Sequence, residues 1–285
     1  MFRMQIAIFT TLLAPAALGA APTDEHPLLP VLRLAFEGYQ RMDGEINDYT
    51  CVLTKRERVD GYLRGQETMF VKVRHQQVEN GRVVTPFSVY LRFLSPAKVK
   101  GREVLYVHGK NNGMLIVRNG GTRFAYITTA LPPDSSAALQ DNRYPITEIG
   151  VKNLTRRLIE NGEDELQYKD VSVRTLPGAK INNRPCTMIQ VSHPERREGL
   201  PYQFARIFVD DELRLAVRYS AYDWPKEDGE EPLLIEEYTY THIKTNAGLA
   251  DWDFDHRNEK YQFLKSFRPH GGQAVRASRS DRVGG

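Results

Sequence analysis

Phe87, Val89, Leu91 and Phe93 put a bulky apolar side chain at every second position, with Ser88, Tyr90 and Arg92 between them. That is the period of a β-strand with one buried face. Met69, Val71 and Val73 repeat it one run earlier. The joins between such runs are short and rich in turn chemistry. Val59-Asp60-Gly61 separates the run at 48–58 from that at 66–75, and Gly109 to Gly113 separates Val104, Tyr106 and His108 from Met114 to Val117. Residues 47–118 therefore read as a curved antiparallel meander with one apolar face, and the protein's function is expected on that face.

Such a face needs a cover. Pro27 and Leu28 open a helix carrying Leu28, Leu32, Ala35, Phe36, Tyr39 and Met42 at spacings of three and four, with Gly44 near its end. A second helix is expected from about Thr147, with Val151, Leu154, Leu158 and Ile159 on one face. Arg156 and Arg157 fall off that stripe and read as solvated. Gly120-Gly121 leads to a short strand around Phe124–Ile127. Thr128 to Pro145, with Pro132-Pro133 and Ser135-Ser136, then lacks both periods, as lids and binding loops do.

Strands resume at Val171 and run through Cys186–Val191, Phe204–Val209, Leu213–Tyr219 and Ile235–Ile243. The expected fold class is α+β, mostly antiparallel β, with two meanders in one domain spanning residues 22–264.

The two ends read differently. Arg3, the apolar run Ile6–Leu18 and the small residues Ala17 to Ala21 form a secretory signal peptide over residues 1–21. Residues 265–285 carry five basic residues against Asp281, with many Gly and Ser, and read as a disordered basic tail. That tail carries +4, more than the whole chain's net +3. The body is near neutral, so nucleic-acid binding is not expected, and membrane contact is peripheral at most. The mature protein is expected to be soluble in the periplasm or otherwise exported. Cys51 and Cys186 are then expected to pair as a disulfide; two buried free thiols are the alternative.

Signals for catalysis are sparse. The glycines around Lys110 lack phosphate-loop spacing, and the histidines show no HxH or HExxH arrangement. Asp251, Asp253, Asp255 and His256 form the densest ligand-capable cluster. An EF-hand reading fails on His256 and Gln262, which take its sixth and twelfth places. The cluster reads instead as an aromatic anchor with polar neighbours. Neither Ser88 nor Ser192 lies in a nucleophile elbow. No metal, no cofactor and no enzymatic activity are expected.

The basic residues of the first meander are less ordinary. Arg56, Arg58, Lys72, Arg74 and Arg92 fall on strand positions and Arg102 opens the next strand, with Glu57 and Glu103 as counter-charges. They form either a solvated ladder of cross-strand pairs or a polar rim beside the apolar face, for an anionic headgroup or a movable lid.

Asp48-Tyr49-Thr50-Cys51, Lys55 to Val59, Val71 to Arg74, Pro86 to Phe93, Gly101 to Val107, and Arg143-Tyr144-Pro145-Ile146 followed by Gly150 and Leu154 together resemble an exported bacterial family known as domain of unknown function 1571. The likeness spans roughly residues 30–262. More remotely, that family is similar to the LolA and LolB lipoprotein carriers. This resemblance implies an incomplete β-barrel covered by helices, an apolar cavity, and binding of lipid or lipoprotein acyl chains without catalysis. The expected lining is Val71, Val73, Phe87, Val89, Leu91 and Phe93, with Arg56, Arg58, Arg74, Arg92 and Arg102 as rim or lid contacts. The alternative is an envelope module with a filled core whose surface binds another envelope protein or a glycan.

Overall fold

The computed structural model describes residues 25–267 except Arg123, Phe124, Tyr126 and Asp228. The expected leader at 1–21 and the expected tail of 265–285 beyond Phe267 lie outside the described residues, as do Phe124 and Tyr126 of the short strand expected there.

Helix α1 (Leu29–Glu45) precedes β1 (Asp48–Val59), β2 (Tyr62–Leu63), β3 (Glu67–Arg74), β4 (Gln77–Glu79), β5 (Arg82–Thr85), β6 (Ser88–Ser95), β7 (Glu103–Val107), β8 (Leu115–Arg118) and β9 (Thr128–Leu131). The short α2 (Ser136–Leu139) and the longer α3 (Val151–Glu165) follow. The second meander is β10 (Ser172–Ile181), β11 (Arg184–Ser192), β12 (Phe204–Asp210), β13 (Ala216–Asp223) and β14 (Leu233–Thr245).

The two meanders are one sheet. Among the described residues twelve strands pair antiparallel in the order β10-β11-β12-β13-β14-β1-β3-β6-β7-β8-β9, with β2 added beside β1 and β4-β5 a separate hairpin. The seam is β14 against β1, where Leu53 faces Tyr240 and Lys55 faces Tyr238. Both ends of the order are free, so the sheet is an open trough and not a closed barrel.

Alternation sorts the side chains. Tyr49, Cys51 and Leu53 of β1, Met69, Val71 and Val73 of β3, and Val89, Leu91 and Phe93 of β6 all face the inner core. Helices α1 and α3 cover that face beside β11–β13, placing Leu28, Val31 and Leu158 against Ile189, Ala205 and Ile207. Phe36 departs from its expected place: it is 51% exposed, because the sheet is met by the turns carrying Leu28 and Met42.

Helix α3 starts at Val151, four residues later than the sequence suggests. Gly150 precedes it with φ +113°, and a Cβ there would lie 2.6 Å from the Tyr49 hydroxyl. That hydroxyl accepts the Val151 amide at 2.9 Å, satisfying one of the helix's free N–H groups. Tyr49→Phe leaves that buried amide without its partner and is expected to cost about 1–2 kcal/mol in thermal unfolding.

One reading of the basic ladder made the outer face solvated, and over β3, β6, β7 and β8 it is covered instead. Residues 249–267 return across β3, β6, β7 and β8 as a strap. They form a second core in which Phe254, Tyr261 and Phe263 cover Tyr90, Leu105, Val107 and Ile116. Tyr261 stacks on Tyr90 with ring centres 4.0 Å apart. Near its start the strap carries the turn Asp251–Phe254, which holds Asp251 and Asp253 of the acidic cluster; its anchor is Phe254 while Trp252 stays exposed. Lys265, placed in the tail by the sequence, donates to the carbonyl of Tyr261 at 2.9 Å.

Cys51 and Cys186 are both buried and both free, correcting the expected disulfide. They sit on β1 and β11, four strand spacings apart in the sheet order, roughly 19 Å along it. A disulfide requires Cα atoms within about 7 Å. Burial pushes both thiols above their ordinary value. No described helix is long and apolar enough to cross a membrane.

Candidate functional site

The trough has two halves. Under α1 and α3 it is nearly filled, with about 60 Å³ left. Under the segment from Thr129 to Ile149 it encloses about 320 Å³, within the ~300–1,000 Å³ typical of ligand sites. Leu53, Met69, Leu91, Phe93, Val104, Leu115 and Val117 line its floor, and Leu131, Ala138, Ile146 and Ile149 its roof.

Of the six residues expected to line it, Leu91 and Phe93 do. Val71 and Val89 are on the correct face but packed in the core, and Val73, also buried on that face, borders a separate cleft. Phe87 is half-buried and borders that smaller cleft with Tyr39. Of the floor residues not expected in the lining, Leu53 and Met69 continue the inward phase of β1 and β3, and Val104, Leu115 and Val117 also sit at alternate positions of β7 and β8. These last two strands are short, and only the sheet order shows that they follow β6.

The roof is held by polar groups inside the trough. Lys55 and Glu57 continue the inward phase of Tyr49, Cys51 and Leu53, a signal present in the sequence. Lys55 Nζ donates to Glu57 at 2.6 Å and to Asn142 at 2.6 Å. The Tyr238 hydroxyl donates to Glu57 and lies 3.2 Å from Glu236. From the roof, Arg143 Nε donates to Glu236 at 3.1 Å, and the Tyr144 hydroxyl lies 3.3 Å from the same carboxylate. Arg157 was read as solvated. It lies 3.7 Å over the Tyr144 ring, because α3 turns it toward the roof segment.

Burial raises the Glu236 carboxyl above its ordinary value, helped by Glu57 and opposed by Arg143 and Arg157. Burial raises Glu67 likewise. A carboxyl whose folded pKa exceeds its unfolded one binds its proton more tightly in the folded state. Stability therefore falls as pH climbs from about the ordinary 4.5 through the raised value. Urea titrations are expected to show that fall, and Glu236→Gln to flatten it.

The expected rim residues divide. Arg102 lines the cavity, with its guanidinium 5.4 Å over the Phe93 ring. Arg56 lies further out at the mouth. Arg58 bonds the carbonyls of Leu234 and Gly61, and its own carbonyl accepts from Arg143 of the roof at 3.0 Å. Arg74 and Arg92 are corrections: they occupy the outer phase of their strands and do not reach the trough. Arg74 pairs with Asp251 at 2.8 Å, and neighbouring Lys72 with Asp253 at 2.5 Å, so these charges fix the strap. Arg92 is exposed. The mouth is shaped by Gly120, where a Cβ would lie 2.2 Å from the Val99 carbonyl; its absence lets the chain after β8 press on the turn that carries Arg102.

A helix-covered open antiparallel sheet with a roofed apolar cavity defines the class as an open β-trough fold. The chain belongs to the family described as Protein of unknown function (DUF1571), whose profile matches residues 46–263. No curated protein matches it. Among solved structures it is similar to a DUF1329 family protein from Desulfovibrio piger (13% identity, TM-score 0.38, covering 81% of this chain and 98% of that one). It is also similar to Mycobacterium tuberculosis lipoprotein LppX (15%, 0.39, 80% and 100%). A third is the LolA superfamily protein NE2245 from Nitrosomonas europaea (10%, 0.31, 79% and 97%).

Proposed function

We propose that the protein is a non-enzymatic carrier or sensor of lipid or lipoprotein acyl chains, acting as an exported protein of the cell envelope. The observation that carries this reading is the unfilled apolar half of the trough, about 320 Å³ beneath a roof. A chain entering it leaves water at ~25 cal/mol per Å² of apolar surface buried. The roof is closed by hydrogen bonds and ion pairs around Glu57 and Glu236 and by no covalent link, so it can be displaced and restored.

The alternative, an envelope module with a filled core that binds another protein or a glycan, has one observation in its favour: the half under α1 and α3 is packed. The open half is what such a module would not need.

The test is to express the full chain with its leader, recover it from the envelope without detergent, and record native mass spectra. Bound species with acyl-chain masses are the expected result. A ligand-free protein that also takes up no added fatty acid overturns the proposal.

A further inference from the structure

The apolar cavity does not end at its polar residues. A second hollow of about 440 Å³ continues outward from it, lined by Lys55, Arg56, Glu57, Arg64, Glu67, Lys98, Arg102 and Asp141 among others. Lys55, Glu57, Arg102, Gln140 and Asp141 line both spaces, so they mark the boundary between a greasy interior and a wet vestibule. Five cationic side chains face three carboxylates there.

The carboxylates do not use up the cations evenly. Lys55 is taken by Glu57 and Asn142, with Glu67 at 3.7 Å. Arg64 reaches Asp141 at 3.5 Å. Arg102 has no ion pair among the described residues, and its Nε is shielded from solvent with no hydrogen-bond partner among them. Its guanidinium rests on the face of Phe93, a floor residue of the cavity, and feels the Glu67 carboxylate without a hydrogen bond or ion pair to it. A guanidinium half removed from water with an unsatisfied donor carries a desolvation cost that an anion would offset. Lys98, exposed on the turn before it, adds a second charge without a carboxylate.

We propose that Arg102, supported by Lys98, binds the anionic head of an amphiphile, a carboxylate or a phosphate monoester, while the chain lies in the trough over Phe93 and Leu91. This rests on the acyl-chain reading above and adds to it the class of head and the direction of entry. The chain end points toward Ile146 and Ile149, and the head stays in the vestibule. Arginine suits this because its fork can hold two oxygens at once while its flat face rests on the aromatic ring.

The experiment measures displacement of the neutral dye N-phenylnaphthylamine from the delipidated full chain. The competitors are laurate, dodecyl phosphate, 1-dodecanol and inorganic phosphate. The expected result is that laurate and dodecyl phosphate bind at least about tenfold more tightly than dodecanol, the worth of a charge-assisted hydrogen bond. In Arg102→Gln that preference disappears while dodecanol is unchanged. If the variant does not fold, added sodium chloride substitutes for it: salt weakens laurate and spares dodecanol.

Equal affinity of wild type for dodecanol and laurate overturns the head site and leaves the trough as a binder of acyl chains. Displacement of laurate by inorganic phosphate at comparable concentration makes the vestibule a free-anion site and also overturns the proposal. Failure of every chain-bearing ligand to displace or bind removes the acyl reading itself, and the head site with it.

Discussion

Phe263→Ala is expected to lower the stability of this protein by about 3–5 kcal/mol, the usual cost of removing a fully buried phenylalanine. Phe263 is 2% exposed and belongs to the outer core with Leu105, Val107 and Ile116. Its ring meets that of Tyr261 edge-on at 6.2 Å, and Tyr261 in turn covers Tyr90. The strap is also fixed through Glu103, which accepts the Tyr90 hydroxyl at 2.8 Å and the Gln262 amide at 2.7 Å. Losing the ring therefore opens a cavity where three elements meet, with no neighbour free to refill it. Against a total stability of about 5–15 kcal/mol this is a large fraction. Urea midpoints measure it, with Trp252→Ala as the control. Trp252 lies on the same strap but is 51% exposed, and its loss is expected to change stability by no more than about 0.5 kcal/mol. A cost below about 1 kcal/mol for Phe263→Ala would mean that the strap does not belong to the core.

The second large effect is on binding. Val117 lies on β8 at the floor of the open cavity and is only half-buried, so a tryptophan there grows into empty space. Val117→Trp is expected to weaken acyl-chain binding more than about tenfold while changing stability by less than about 1.5 kcal/mol. Val107→Trp reverses the pattern. Val107 is 1% exposed on the packed outer face of the adjacent strand, where overpacking costs about 1–3 kcal/mol and the folded protein keeps its ligand. Dye displacement and denaturant titration on the two variants separate a cavity from a core. If Val117→Trp binds acyl chains like the wild type, the ligand lies elsewhere.

The strands were legible because alternation is a local property. Val71, Val73, Val89, Leu91 and Phe93 could be assigned to one face from their spacing, and they lie on one face. The strap had a weaker signal. Val104-Leu105-Tyr106-Val107 has no polar residue to mark a wet side, and such uninterrupted runs belong to strands covered on both faces. What covers the outer side comes from about 150 residues further along the chain, and nothing in the period of β7 names it. The basic residues divided for the same reason: Arg74 and Arg102 look equivalent in sequence, yet strand phase sends one to the strap and the other to the cavity mouth. Cys51 and Cys186 looked like partners because pairing was argued from compartment, whereas strand order sets their separation.

The residues alone determined that this chain folds as antiparallel strands with an apolar face under helices, because side-chain period and turn chemistry act over neighbouring positions. Tertiary structure decided which part of that face is filled by α1 and α3 and which part stays open beneath the roof. That outcome depends on whether the volumes of segments distant in sequence match the hollow they cover, and no local pattern records such a match.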